Sequence, residues 1–325
     1  MASEIEAEDT GPIQLIDIDG VSHALKGHVR PTTFIESELL DEALGTQVML
    51  ASETFQHTGS FKFRAALSAA IHTQADHLIA ASSGNFGQAL ALAARRSGRR
   101  CTIAMPSQSS QVKIDAVRDQ GATVDLIDTT RSSRAQRMTE LAAAHPTAQI
   151  ISPYDDPFVI AGNASLGVEI FEARPKPDVV VVPIGGGGLA SGIVLARDKF
   201  APECKIVGAE PLLANDAARS LRAGVISHND REPNTICDGA RTPSLGQRNF
   251  AILRRGLAEI IEVPDELVAA AVRLLFRNAN LKAEPTGALS VAAVQLAKEK
   301  FAGRRVLCIV SGGNVDPAFY AKLIS

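Results

Sequence analysis

The stretch "VVVVPIGGGGLASGIVLA", residues 179–196, decides which fold the chain can adopt. Its valines have the β-branched composition of a buried strand, and its alanine-rich end is typical of a helix. The stretch carries no charge and has about the length that a membrane-spanning helix needs. Pro183 and the four glycines would break such a helix where its backbone groups most need internal partners, so we predict a strand, a loop and a helix.

Strands and helices alternate in the same way along most of the chain. The segments "HLIAAS", "CTIAMP" and "TVDLID" have the composition of strands, and a longer helical segment follows each of them. This alternation predicts parallel sheets that are covered by helices on both faces. It is densest between His77 and Pro146, which indicates a compact subdomain inserted into a larger one.

We therefore predict an α/β protein with two parallel-sheet domains. Residues 1–75 and 148–325 are expected to form a large domain, and residues 76–147 a small inserted domain. The segment "YDDPFVIAG", residues 154–162, is expected to be a loop because aspartate and proline favour turns.

The composition is that of a soluble globular protein. Of the 325 residues, 46% are hydrophobic and 21% are charged, and the net charge of −3 argues against nucleic acid or an anionic membrane as a partner. The four cysteines lie far apart without metal-binding spacing, which favours buried thiols in a reducing cytoplasm. The acidic start "MASEIEAEDT" lacks the features of a secretion signal, so we expect a frayed tail or a short cap there.

The glycine run at residues 185–188 predicts a binding loop. Successive glycines let several backbone N–H groups point into one concavity, and the helix that follows adds positive potential for a phosphate. The same loop, with Ala190, also satisfies G-x-G-x-x-A, and Glu210 follows at about the distance of a ribose-binding acid. On this loop alone, a simple phosphate cradle and a nicotinamide-dinucleotide site both stay open.

Three further motifs carry chemistry. In "HTGSFKFRAA", residues 57–66, Lys62 lies between Phe61 and Phe63, whose rings would desolvate the amine and lower its pKa. In "SSGNFGQA", residues 82–89, hydroxyl and amide groups at a helix start could cap the helix or bind a carboxylate. In "SGGN", residues 311–314, Ser311 ends the last strand and could be a turn residue or bind a ring nitrogen.

Taken together and in this order, the four motifs resemble those of the fold-type II pyridoxal-phosphate (PLP) enzymes, whose fold is tryptophan-synthase-β-like. This family includes threonine and serine dehydratases, serine racemase and 3-hydroxyaspartate dehydratases. The segments "DDPFVIAG", "GAEPLLANDAARS", "TICDGART" and "EPTGALS" look similar as well. The resemblance runs from about Val29 to the C-terminus and outweighs the dinucleotide interpretation.

The resemblance implies a role for each matching residue. Lys62 would hold PLP as a Schiff base, be released when substrate takes its place, and then act as general base at the substrate Cα. The groups around the cofactor would be Phe61, Asn85 at the phenolic oxygen, Gly185, Gly186, Gly187, Gly188 and the Leu189 N–H at the phosphate, and Ser311 at the pyridine nitrogen. The groups around the substrate carboxylate would be Ser82, Ser83, Gly84 and Arg131.

A divalent-cation site is implied in the segment "EPLLAND". Glu210, the Ala214 carbonyl and Asp216 match a cation site found in part of the family, and their oxygen atoms suit Mg²⁺, Ca²⁺ or Mn²⁺. The alternative is a helix start with ordinary acidic residues.

The implied activity is that of a dehydratase, also called an ammonia-lyase. A serine hydroxyl at position 311 cannot keep the pyridine nitrogen protonated as an aspartate would, which favours prompt loss of a β-leaving group. We expect L-threonine or L-serine to yield a 2-keto acid and ammonia. Three alternatives stay open: a 3-hydroxyaspartate dehydratase, a serine racemase that uses Ser83 opposite Lys62, and a PLP-binding protein without turnover.

The substrate is not decided by the sequence. A second carboxylate on 3-hydroxyaspartate would need a second cation, for which Arg64, Arg131 and Arg241 are candidates by position. Phe86 and the segment 152–154, "SPY", depart from relatives that carry histidine and His-Pro there. The resemblance also implies a homodimer, and since the chain ends near the last motif we expect no regulatory domain and a catabolic role.

Overall fold

The computed structural model describes residues 17–173 and 175–325, so the predicted frayed N-terminal tail lies outside the described residues. Within these residues the chain forms ten strands and fourteen helices. The strands are β1 (Thr33–Glu36), β2 (Val48–Ser52), β3 (His77–Ala81), β4 (Arg100–Pro106), β5 (Thr123–Ile127), β6 (Gln149–Ile150), β7 (Val179–Pro183), β8 (Lys205–Pro211), β9 (Glu259–Val263) and β10 (Val306–Val310). The helices are α1 (Ile18–Leu25), α2 (Glu38–Leu44), α3 (Lys62–His72), α4 (Asn85–Arg96), α5 (Gln111–Arg118), α6 (Arg134–Ala144), α7 (Pro157–Glu172), α8 (Gly188–Phe200), α9 (Asp216–Ala223), α10 (Gln247–Gly256), α11 (Asp265–Ala279), α12 (Pro285–Leu296), α13 (Lys298–Phe301) and α14 (Pro317–Ile324).

The larger sheet has the strand order β1-β2-β10-β7-β8-β9. Its strands are parallel except for β1, which pairs antiparallel with β2 at the edge. Every residue of β7 and of β10 is buried, as expected for central strands covered by helices on both faces. The α/β prediction is therefore confirmed, with one antiparallel edge strand that the sequence pattern did not indicate.

The smaller sheet has the order β5-β4-β3-β6, and all its pairs are parallel. The short strand β6 pairs with β3 through Leu78 and Ile79, although the predicted boundary at residue 148 assigns β6 to the large domain. The small sheet thus continues to Ile150. Two residues are too few to give a strand pattern in the sequence.

The strand–loop–helix interpretation of residues 179–196 agrees with the structure. The chain passes from β7 through the glycine run into α8. No helix among the described residues has the length and apolar character needed to cross a bilayer.

The predicted loop at residues 154–162 is wrong for most of its length, because α7 begins at Pro157. The Asp156 carboxylate caps this helix by accepting hydrogen bonds from the backbone N–H groups of Phe158 and Val159. Proline is well suited to the first helical position, since its missing N–H would have no partner there. The Asp-Pro pair therefore starts a helix here instead of making a turn.

Helix α7 fixes the two helices that carry the main motifs. It packs closely on α3, where a Cβ atom on Gly162 would lie 2.5 Å from the Arg64 carbonyl oxygen. It packs equally closely on α8, where a Cβ atom on Gly192 would lie 2.6 Å from the Ala164 nitrogen. Because glycine permits both approaches, the first turns of α3 and α8 are held in fixed relative positions.

The Arg64 side chain is fully buried and belongs to the interior, not to a substrate site. Its guanidinium donates to Glu53 at 2.8 Å and to Glu169 at 2.7 Å. It also donates to the hydroxyl groups of Thr32 and Ser165. These partners occupy the whole guanidinium, so the prediction that Arg64 could bind a second substrate carboxylate is wrong. The cluster ties α3 to α7 and to the chain around β1 and β2.

Removing this cation should destabilise the fold. Arg64→Met leaves Glu53 and Glu169 without their counter-charge, and breaking a buried ion pair from one side costs about 3–5 kcal/mol. We expect a loss of that size in the free energy of unfolding, measured by urea titration with circular dichroism. Arg305→Met is the control, because Arg305 pairs with Asp178 at the surface and such pairs contribute little. Equal losses in the two variants would contradict the role of the cluster.

Candidate active site

Lys62 begins α3, and its amine lies in a largely apolar setting. The Nζ atom donates to the Pro153 carbonyl oxygen at 3.2 Å. It lies 4.8 Å from the ring centroid of Phe61 and 5.9 Å from that of Phe86. Burial lowers the pKa of Lys62 to about 8, although the negative charge of Glu284 opposes the shift. With that pKa, about one amine in ten is neutral at pH 7, so Lys62 is available as a nucleophile and base.

The second ring beside the amine is Phe86 and not Phe63, contrary to the prediction. Phe63 is fully buried and makes an edge contact with the His57 ring at 5.0 Å, while the Arg96 guanidinium lies over its face. A helix turns by about 100° per residue, so neighbours of Lys62 in sequence cannot all share its face. Phe86 comes from α4, at the position where the sequence departs from its relatives.

The loop before α4 brings Asn85 beside the large domain. Asn85 Nδ2 donates to Glu284 Oε1 at 2.8 Å, and Asn85 Oδ1 accepts from Asn314 Nδ2 at 2.8 Å. The Ser82 hydroxyl oxygen accepts from the backbone N–H groups of Gly84 and Gly87. Ser82 therefore caps the first turn of α4 from a position two residues before the N-cap residue, Gly84.

Ser83 and Gly84 remain accessible at the start of α4. Both residues are partly exposed, and within the described parts of the chain the Ser83 hydroxyl makes no hydrogen bond. The backbone N–H groups of Asn85 and Phe86, in the first turn of α4, have no intrahelical partners. Their partial positive charge suits a carboxylate.

The glycine run forms a concave backbone surface at the start of α8. Gly187 has φ of +91°, a conformation that favours glycine. A Cβ atom on Gly186 would clash with Tyr154 Cγ, so the Tyr154 ring covers one side of the loop. The Asn249 amide donates to the carbonyl oxygens of Tyr154 and Gly186 and holds this pair together. The N–H groups of the first helical turn, including that of Leu189, lack intrahelical partners and form a cradle that fits a phosphate.

The Ser311 loop is joined to the turn before Lys62. The Phe61 N–H donates to the Ser311 carbonyl oxygen at 3.0 Å, and Ser60 forms a β-bridge with Gly312. The Glu284 N–H donates to the Gly312 carbonyl oxygen at 3.1 Å. The structure thus brings Lys62, Ser311 and, through Glu284, Asn85 to one place at the end of β10.

Glu284 is the site residue that the sequence analysis missed. It lies within the quoted segment "EPTGALS" and is buried, with an exposed fraction of 7%. Burial raises the pKa of this carboxyl to about 7, against the hydrogen bond from Asn85 and the charges of Lys113 and Lys62. A charged residue directly before Pro285, which begins α12, resembles an ordinary helix start, so only the three-dimensional contacts reveal its position.

Glu210 and Asp216 form a buried carboxylate pair. Glu210 accepts from the N–H groups of Ala217 and Ala218 at the start of α9, both at 2.8 Å. Asp216 Oδ1 accepts from Asn229, whereas Asp216 Oδ2 is buried without a partner among the described residues. Burial, together with the Asp216 charge, raises the pKa of Glu210 well above its usual range.

The pair fits a divalent cation only in part. Burial raises the pKa of Asp216 to about 6, and the orphaned Asp216 oxygen is available as a ligand. Ala214 ends a short 3₁₀ turn between the two acids. The described parts of the chain contain no group of three or more His, Cys, Asp or Glu residues that could hold a metal. Two carboxylates would leave the remaining ligands to carbonyl oxygens and water, as Mg²⁺ accepts.

The arginines predicted near the substrate are not gathered at Lys62. Arg131 is 86% exposed and pairs with Asp128 in its own loop at 3.3 Å. Arg241 donates to the Thr235 carbonyl oxygen at 2.9 Å. Arg134, the first residue of α6, instead reaches Glu232 of the large domain at 3.8 Å. Arg134 and Glu232 thus form a largely exposed pair that links α6 to the segment between α9 and α10.

The chain is similar to known proteins over most of its length. A family model described as "Pyridoxal-phosphate dependent enzyme" matches residues 25–312. Over 313 residues the chain is 39% identical to the L-threo-3-hydroxyaspartate ammonia-lyase of Saccharomyces cerevisiae, covering 95% of each protein. It is 36% identical to the serine racemase of Schizosaccharomyces pombe, covering 95% of this chain and 96% of that one.

A solved structure shows the same architecture. The threonine deaminase of T.th. superposes with a TM-score of 0.86 at 37% identity, covering 93% of this chain and 98% of that one. The predictions of a fold-type II architecture, of a PLP cofactor and of an enzyme of the ammonia-lyase type are confirmed. The chain belongs to the family of pyridoxal-phosphate-dependent enzymes.

Proposed function

We propose that this protein is a dehydratase that eliminates the β-hydroxyl group of a hydroxy amino acid and releases a 2-keto acid and ammonia. The observation that carries the proposal is the position of the Lys62 amine. It is desolvated between Phe61 and Phe86, and it lies beside the junction of the Asn85 and Ser311 loops. When bound at such a site, PLP supplies an electron sink for charge that develops at the substrate Cα.

Each residue then has a task of its own. Lys62 takes the proton from Cα, since burial keeps part of its amine neutral at physiological pH. The first turn of α8 would hold the cofactor phosphate with backbone N–H groups. Asn85 would donate to the phenolic oxygen, and the neutral Ser311 hydroxyl would bind the pyridine nitrogen without giving it a full proton. Ser83 and the N–H groups at the start of α4 would bind the substrate carboxylate.

We propose L-threo-3-hydroxyaspartate as the preferred substrate, with serine and threonine behind it. The yeast relative is named for this substrate. A second carboxylate needs a cation, and we propose Arg134 for that role because its guanidinium already lies 3.8 Å from a carboxylate, that of Glu232. The substrate carboxylate would take the place of Glu232 on the planar guanidinium. Arg131, whose side chain points to solvent, is the alternative that the sequence indicated.

Racemisation is a second candidate activity, and the partly exposed Ser83 hydroxyl favours it. A two-base racemase needs a second proton donor on the face of Cα opposite Lys62. The neighbouring Ser82 hydroxyl is occupied by hydrogen bonds at the start of α4, whereas the Ser83 side chain is partly exposed. The relative in Schizosaccharomyces pombe is named a serine racemase.

We also propose that Glu210, the Ala214 carbonyl and Asp216 hold a divalent cation, Mg²⁺, Ca²⁺ or Mn²⁺. The orphaned Asp216 oxygen and the mutual repulsion of the two buried carboxylates support this. A cation would keep both groups ionised and would hold the start of α9 against the end of β8. Its effect would be on stability, since no step of the elimination needs it.

A homodimer in the cytoplasm completes the proposal. The dimer rests on the resemblance to the family, and a solution mass of twice the 34.3 kDa chain would support it. The cytoplasmic location rests on the four cysteines, which are all free and buried.

Substrate preference can be tested together with the arginine assignment. Keto-acid release should be fastest from L-threo-3-hydroxyaspartate in a panel with serine and threonine. Arg134→Met should lower kcat/KM for hydroxyaspartate about 10- to 100-fold, the loss of one charged hydrogen bond, and leave threonine nearly unchanged. Arg131→Met is the matched control from the loop that precedes α6. The reverse pattern would assign the carboxylate to Arg131, and equal rates for all three substrates would contradict the substrate preference.

The role of Ser83 has its own test. Ser83→Ala should abolish the conversion of L-serine into D-serine, which chiral chromatography measures. Elimination from the L-isomer should continue. Ser82→Ala is the control, and it should lower thermal stability through loss of the helix cap by about 1 kcal/mol. If Ser83→Ala removes both activities to the same extent, the two-base assignment fails.

The cation can be tested by removal. Treatment with EDTA should lower the melting temperature of the protein, and added Mg²⁺, Ca²⁺ or Mn²⁺ should restore it, because the ion stabilises only the folded state. Asp216→Asn should abolish both responses. A melting temperature that does not respond to EDTA in the unmodified protein would exclude this site.

A further inference from the structure

We propose that Glu284 is a positioning residue, which together with Asn314 sets the orientation of the Asn85 amide so that one N–H of that amide faces the cofactor. The inference rests on the proposed function, since it assumes that Asn85 binds the phenolic oxygen of PLP. It concerns a residue that touches Asn85 and acts through it.

The hydrogen bonds around Asn85 allow only one orientation of its amide. The backbone carbonyl of Thr58 can only accept, so the Asn314 atom that meets it at 2.6 Å is the amide nitrogen. The same nitrogen donates to Asn85 at 2.8 Å, which makes the Asn85 atom at that end the oxygen. The Asn85 nitrogen must then face Glu284, at 2.8 Å, where a carboxylate accepts. A flipped amide would place two donors together at one end and two acceptors together at the other.

One donor of the Asn85 amide remains after these contacts. An amide nitrogen carries two hydrogens, and Glu284 takes one of them. The other is free for the ring oxygen of the cofactor. A donor at that oxygen stabilises its ionised form, whereas a flipped amide would present an acceptor and destabilise it. The ionisation state of the phenolic oxygen therefore depends on Glu284, although Glu284 itself need not touch the ring.

Glu284 is held firmly enough for this role. Its N–H donates to the Gly312 carbonyl oxygen, and its Oε1 atom would lie 2.5 Å from a Cβ atom placed on Gly312. The same Cβ atom would meet Ser60 at 2.9 Å. The carboxyl group thus lies against the Ser311 loop, close to the turn before Lys62. The absence of a side chain on Gly312 leaves room for this carboxyl group.

The charges around the carboxyl come from several elements. Lys62 of α3 and Lys113 of α5 attract it, and Asp238 of the turn Asp238–Ala240 repels it. Burial and these charges bring its titration close to neutral pH. Loss of the proton strengthens its hold on Asn85, so the positioning effect should be largest in neutral to alkaline solution.

The test is a pH titration of the visible absorption band of the bound cofactor in the holoenzyme, which reports the protonation state of the phenolic oxygen together with the neighbouring imine nitrogen, independently of turnover. Glu284→Ala should raise the midpoint by about one pH unit and lower kcat/KM about 10- to 100-fold. Glu284→Gln keeps an acceptor at the same place, so it should restore most of the wild-type midpoint. Glu259→Ala, which removes a surface partner of Lys300, is the control and should change neither value.

Coupling between the residues separates positioning from a merely structural effect. Asn85→Ala alone should shift the midpoint as far as Glu284→Ala, and the double variant should shift it no further. Additive shifts, or a Glu284→Ala titration identical to that of the wild type, would overturn the inference. If Glu284→Ala does not fold, Asn314→Ala takes its place in the comparison, because it removes the other hydrogen bond that orients the Asn85 amide. A wild-type protein without any visible band after incubation with PLP would instead refute the proposed function.

Discussion

An amine with a lowered pKa and a permanent cation lie two residues apart on one helix, and the active site depends on keeping their surroundings different. Arg64 faces the interior, where Glu53 and Glu169 compensate its charge. Lys62 faces the candidate active site, where two aromatic rings and a carbonyl group surround the amine. If the carboxylates of the interior faced Lys62 instead, they would hold its proton and raise its pKa. The first turn of α3 therefore carries two different cations: Arg64, which anchors the helix in the interior, and Lys62, which is the reactive amine.

One glycine in α7 and one in α8 fix the position of Lys62 relative to the rest of the site. Close packing at Gly162 and Gly192 fixes α7 against both α3 and α8. The start of α3 carries Lys62, and the start of α8 carries the phosphate cradle. The distance between base and cradle is thus set by backbone contact, which is stiffer than contact through long side chains. The Tyr154 segment adds a second link, since its neighbour Pro153 meets Lys62 and its ring covers Gly186.

The parts of the site that were predictable from sequence are those with local patterns. A charge-free valine strand before four glycines and a helix has few other interpretations, and the order of four motifs indicated the family. The rest depends on contacts between distant segments. Nothing local distinguishes Phe86 from Phe63 as the partner of Lys62, or Arg64 as an interior residue. Asp156 and Pro157 have the composition of a turn, and only the apolar run that follows makes them a helix start. Glu284 and Asn85 are far apart in sequence, so their hydrogen bond left no local signal.

The two sides of the Asn85 hydrogen-bond chain belong to segments next to different sheets. Asn85 belongs to α4, which follows β3 of the smaller sheet, whereas Glu284 and Asn314 belong to segments next to β10 of the larger sheet. A rotation of one sheet away from the other would break both bonds in a single step. The colour of a bound cofactor would then respond to the relative position of the two sheets, so the ring would serve as a reporter of conformation as well as a reagent.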